Sequence, residues 1–103
     1  MSWQITLKDI LSGYFSDQSV EEGVTEMIFV TAHNPDYHQS YFSAIKVGME
    51  AASRGETEVF DIVSSECYVK DIADVQKFLE KLCSEYMAQY EAATSDNVSE
   101  PTN

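Results

Sequence analysis

Ile72, Val75, Leu79, Leu82 and Tyr86 recur at spacings of three and four. That rhythm puts all five on one stripe of an α-helix. In a chain of 103 residues such a helix is a large part of the molecule. Whatever else the chain forms must cover the stripe. The pattern predicts a helix from about Asp71 to Ala92 that anchors the core, with Tyr90 extending the stripe and Lys81 and Glu85 able to pair outside it. The length fits one domain, assigned to residues 1–93. Residues 94–103 are polar, contain Pro101 and lack apolar periodicity, so a disordered tail is expected there.

A second helix has clear ends. Asn34 is a good cap, Pro35 is preset for the first helical position, and Asp36 suits the positive end of the dipole. Gly55 suits the left-handed position that closes a helix. Tyr37, Tyr41, Ile45, Gly48, Met49 and Ala52 would face inward. The rival reading takes Tyr41, Ile45, Val47 and Met49 as one face of a strand, opposite Phe42, Lys46 and Glu50. Near the N-terminus a short helix over 5–15 is expected, capped by Thr6 with Asp9 three positions on, and stapled by Ile5 and Ile10. Its stripe is Leu7, Ile10, Leu11 and Tyr14. Alternatively, Trp3, Ile5 and Leu7 alternate as an edge strand. Residues 16–25 read as a polar loop. Met27 to Ala32 and Glu58 to Val63 are short apolar runs rich in β-formers, and both read as strands.

The expected fold is therefore α/β (or α+β): one small αβαβα domain, its small sheet covered by helices. The alternative is α-βββ-α, with a three-stranded antiparallel meander over 27–63. Two parallel strands alone make a poor sheet. A third strand near residues 2–7, or pairing across a homodimer, would complete it.

The stretch from Ile28 to Pro35, Ile-Phe-Val-Thr-Ala-His-Asn-Pro, is similar to the first strand and loop of flavodoxin-like quinone reductases. The resemblance spans residues 27–63 and implies a βαβ unit. That fold needs several more strand–helix units than this chain has. A helix N-terminus at Asn34 can attract anions, but here the surrounding charge opposes phosphate. No flavin, nucleotide or other cofactor is expected.

The formal net charge is −12, with 6 Lys and Arg against 18 Asp and Glu. No Lys or Arg lies between Lys8 and Lys46, a gap that holds Asp9, Asp17, Glu21, Glu22, Glu26 and Asp36. A second bare block holds Glu56, Glu58, Asp61 and Glu66, and a third holds Glu85, Glu91, Asp96 and Glu100. Such a field repels nucleic acid and anionic membranes and attracts basic protein surfaces. With 44% hydrophobic and 12% aromatic residues, the chain does not belong to the disordered acidic class. The plainer explanation of the charge is solubility or adaptation to salt.

Catalytic and metal chemistry find little to work with. His33, Asp36 and His38 do not converge on a helix start, and no further His completes a metal set. Cys83 falls beside the last helix's stripe, and Cys67 has only Lys70 nearby to activate it. Carboxylate pairs such as Glu21/Glu22 and Asp71/Asp74 arise by chance at this acid content. Neither an enzyme nor a metal protein is expected. Two cysteines make no disulfide framework, Met1–Ile5 does not open like a secretory signal, and no run is apolar enough to span a membrane. A cytoplasmic location follows.

The function expected from charge is a small inhibitor that binds a basic protein surface. It would act as a nucleic-acid mimic of the phage anti-restriction or anti-CRISPR type, to which the chain is similar in size and charge. Asp9, Asp17, Glu21, Glu22, Glu26 and Asp36 would supply the charge, and Tyr14, Tyr68 and Tyr90 the anchors. Two readings compete with it: an immunity or antitoxin-like protein neutralising a basic nuclease toxin, and an adaptor subunit whose acidic face is merely solvated.

Overall fold

A computed structural model describes the backbone of residues 2–99 and the side chains of residues 2–94. Among these residues there are five helices and no strand: α1 (Trp3–Tyr14), α2 (Val20–Thr31), α3 (Pro35–Ser53), α4 (Thr57–Ser64) and α5 (Ile72–Ser99). The α/β reading and the meander alternative are both overturned. So are the βαβ unit implied by the flavodoxin-like resemblance, the edge strand near residues 2–7, and the argument for a dimer that would complete a sheet.

The run Met27–Ala32 is the second half of α2. Ser19 starts that helix with a reciprocal capping box: Glu22 N–H donates to Ser19 Oγ at 3.2 Å, and Ser19 N–H donates to Glu22 Oε1 at 3.2 Å. Both atoms would otherwise be orphaned at a helix start. The supposed loop 16–25 therefore contains the first turn and a half of a helix. Val24, Met27, Ile28 and Thr31 then form its buried face. Glu58–Val63 is helical as well. Val59 and Val63, one turn apart, are fully buried, while Phe60 and Ile62 are half-buried. A short apolar run fits either period. A helix satisfies its own backbone, whereas a strand here would have no partner for its N–H and C=O groups.

The other helices follow the sequence more closely. Asn34 caps α3 by accepting from Tyr37 N–H at 3.4 Å, with Pro35 first in the helix. Gly55 closes it with φ of 73°. α1 begins earlier than expected, because Ser2 and not Thr6 is its cap. Thr6 is a buried residue within the helix, and Ile5 is exposed, so there is no staple at that position. The earlier start places Trp3 one turn before Leu7, where it packs against the core. α5 extends beyond Ala92 and is helical through Ser99. The tail expected over 94–103 falls largely outside the described side chains.

α3 is the central element. α1 and α5 pack on it, and Leu7 from one and Leu79 from the other both close on Gly48. A Cβ at Gly48 would stand 3.1 Å from the Leu7 side chain. α5 runs antiparallel to α3, since His38 meets Tyr90 while Met49 and Ser53 face Gln76 and Glu80. α2 lies along α5 in the same direction, as Phe15 just ahead of it meets Phe78 and Thr25 meets Gln89. α4 sits against α1, α3 and α5.

Gly23 marks the tightest approach. A Cβ there would collide with the Phe15 ring and stand 2.6 Å from the Tyr14 carbonyl oxygen. Gly23→Ala is expected to lose about 1–3 kcal/mol of stability, the usual cost of overpacking. Urea unfolding measures it; an unchanged midpoint would mean that the turn at Tyr14–Phe15 yields freely.

Candidate functional site

The antiparallel α3–α5 contact and the α2–α5 contact together place two separate stretches side by side. One is 9–45, the other 82–94, and neither contains Lys or Arg. The N-terminal half of α3 and all of α2 lie against the C-terminal half of α5. One end of the molecule therefore presents Glu21, Glu22, Glu26, Asp36, Glu85 and Glu91 with no Lys or Arg among the described residues there. The cations fall elsewhere. Lys8 stands 4.0 Å from Glu66, and Arg54 bonds Glu56 at 2.8 Å. Lys46 lies over the Phe42 ring, near Gln76 and Glu80. Lys70, Lys77 and Lys81 precede or occupy the first half of α5. The middle acidic block, Glu56 to Glu66, is thus partly paired and separate from the bare end.

The expected site residues divide accordingly. Glu21, Glu22 and Glu26 are exposed on α2, Asp36 is exposed in the first turn of α3, and Asp17 is exposed in the α1–α2 loop. Asp9 is exposed on α1, on the side of a tyrosine cluster: its charge helps push the Tyr41 hydroxyl well above the ordinary range, after burial and the hydrogen bond to Tyr14. In that cluster the Tyr14 and Tyr41 hydroxyls are 3.3 Å apart, and Tyr37 packs edge-on against Tyr41. Tyr14 is half-buried here, and Tyr37, expected inward, is exposed. Tyr68 is 89% exposed in the α4–α5 connection, away from this end, and is not brought together with the acidic residues.

Tyr90 belongs to an aromatic stack. Its ring lies parallel to His38 at 3.9 Å between centroids, and Phe42 and Tyr86 complete the group. His38 Nδ1 and the Tyr86 hydroxyl share a hydrogen bond of 2.7 Å, its direction set by the imidazole tautomer. Burial holds the His38 pKa below its usual value. Burial also pushes Tyr86 up to about 12, although the neighbouring Thr31 hydroxyl opposes the rise. Thr31 Oγ1 is itself buried without a hydrogen-bond partner of ordinary geometry. The stack is a packed aromatic seam between α3 and α5.

Phe29 was not singled out by sequence. It is 76% exposed on α2, beside an open groove of about 300 Å³ lined by Thr25, Ile28, Phe29, Gln89, Ala92 and Ala93. The signal was there: Val24, Met27, Ile28 and Thr31 define one helical face, and position 29 falls off it. Read as a strand, the same run hides this.

Cys67 and Cys83 are free thiols, and burial raises both pKa values. Among the described residues no group of three His, Cys, Asp or Glu side chains could hold a metal ion. No helix there is long and apolar enough to cross a membrane. Set against protein-family models, curated proteins and solved structures, the chain matches none of them.

Proposed function

We propose that this protein is a cytoplasmic, non-enzymatic inhibitor that binds a basic surface of a nucleic-acid-binding protein and excludes the nucleic acid. The observation that carries this reading is the joining of two Lys- and Arg-free stretches into one acidic end. Carboxylates held on a folded surface offer Arg and Lys the same oxygen acceptors that phosphates do. A one-signed field speeds the encounter with a cationic partner.

The test uses Asp17→Asn, Glu26→Gln and Glu91→Gln together. None of the three lies in the first turn of a helix, where a carboxylate offsets the dipole, and Glu22 is spared because it closes the capping box. Exposed ion pairs are worth roughly 0.2–1 kcal/mol each. The triple variant should therefore bind the partner recovered from the native host about 3- to 150-fold more weakly at low salt. Its affinity should also depend less on salt. Folding should be unchanged or slightly firmer as self-repulsion falls. If wild type and variant bind alike and neither responds to salt, the acidic end is only a solvated face. A nuclease toxin encoded beside this gene would favour the immunity reading, and a large stable assembly the adaptor reading.

A further inference from the structure

The α2–α5 groove is apolar, open, and set in the end of the molecule whose two chain stretches carry no Lys or Arg. Thr25, Ile28 and Phe29 form one wall, and Gln89, Ala92 and Ala93 the other. Gln89 holds the walls in register: it accepts from Thr25 Oγ1 at 2.9 Å and donates to the Glu21 carbonyl at 3.3 Å and to the Glu85 carboxylate at 2.9 Å. Glu22 and Glu26 precede Phe29 by seven and three positions, so they share its helical face. Glu85 stands one turn before Gln89 on the facing wall. Neither wall carries Lys or Arg; Lys81, a turn before Glu85, is the nearest on α5.

From this charge pattern we infer that the groove receives an apolar side chain from a basic amphipathic segment of the partner protein, whose Lys and Arg residues meet Glu22, Glu26 and Glu85. The inference rests on the acidic-end reading and names the chemistry of its partner. A bare acidic surface would suit any cation. An exposed Phe beside an apolar groove adds an anchor of the kind that concentrates binding energy at protein interfaces. The occupants available from the chain itself fit less well. A second copy brings the same charge of −12, and the segment beyond Thr94 brings Asp96 and Glu100 without Lys or Arg.

The experiment titrates the full chain with three synthetic peptides. The first forms an amphipathic helix with a Leu/Trp face and a Lys face. The second scrambles that composition, and the third replaces every Lys by Gln. The same titrations are run on Phe29→Ala and on Ala92→Gln, which narrows the groove without altering charge. Both sites are exposed, so folding should survive, and circular dichroism checks it. The Lys amphipathic peptide should bind at least about ten-fold more tightly than either control, and each variant should lose about ten-fold while keeping the wild-type salt dependence. If the scrambled peptide binds as well, and the variants bind like wild type, the groove proposal fails while the acidic-end reading stands. If the Gln peptide binds as tightly as the Lys peptide, charge selection at the groove fails and the proposal is overturned, while the acidic-end reading is decided by the salt series on the triple variant. If sedimentation shows wild type dimeric and Phe29→Ala monomeric, the groove is a self-interface and the proposal is overturned.

Discussion

Leu79→Ala is expected to lower the free energy of unfolding by about 2–5 kcal/mol, the range found for buried leucine truncations. Leu79 has no exposed surface, and its side chain, like that of Leu7, closes on the bare backbone of Gly48. It joins α5, α3 and α1 at one point. The cavity left by truncation would be bounded by three helices fixed by other contacts, so collapse around it would be incomplete. Domains of this size have roughly 5–15 kcal/mol of total stability, so the loss should be visible as a large shift in a urea midpoint. Met87→Ala, on the same helix but 47% exposed, is the control and should change stability by less than about 0.5 kcal/mol. Equal midpoints for Leu79→Ala and wild type would contradict this packing.

Truncating Tyr86 to Ala should cost about 3–5 kcal/mol, as for other large buried aromatics. Tyr86 is fully buried, and its ring lies 6.2 Å from Phe42, 5.7 Å from His38 and 5.8 Å from Tyr90, measured between centroids. Tyr86→Phe separates packing from polarity. It keeps the ring and removes the hydroxyl, with its 2.7 Å hydrogen bond to His38 and its contact with the Thr31 hydroxyl. The half-buried His38 can turn to water instead, so this change should cost only about 0.5–1.5 kcal/mol. Denaturant unfolding of the two variants gives the comparison. If Tyr86→Phe were as damaging as Tyr86→Ala, the hydroxyl and not the ring would hold this end of α5 to α3.

The two helices with strong punctuation or long periodicity were legible in the sequence. Asn34, Pro35 and Gly55 mark α3 by rules that act within a few residues, and the Val75–Leu79–Leu82–Tyr86 stripe is long enough to exclude a strand. α2 and α4 are not legible as helices because their apolar runs are short and rich in β-formers. Ser19 and Glu22 did announce α2 as a capping box, but the acidic residues around them looked like a loop. The charge imbalance was legible too, as a gap between Lys8 and Lys46 and another after Lys81.

The features readable from the residues alone were therefore local: the cap and glycine closure of α3, one unambiguous stripe and the sign of the charge. Whether Met27–Ala32 and Glu58–Val63 became helix or strand was decided by tertiary structure. Each run could satisfy its backbone as a helix, and the fold offers their buried faces a helical core instead of a neighbouring strand. Tertiary structure also decided where the charge collects, because only the α2–α5 and α3–α5 contacts bring residues far apart in the chain onto one end. The same packing turned Val24, Met27, Ile28 and Thr31 inward, and that rotation left Phe29 outside.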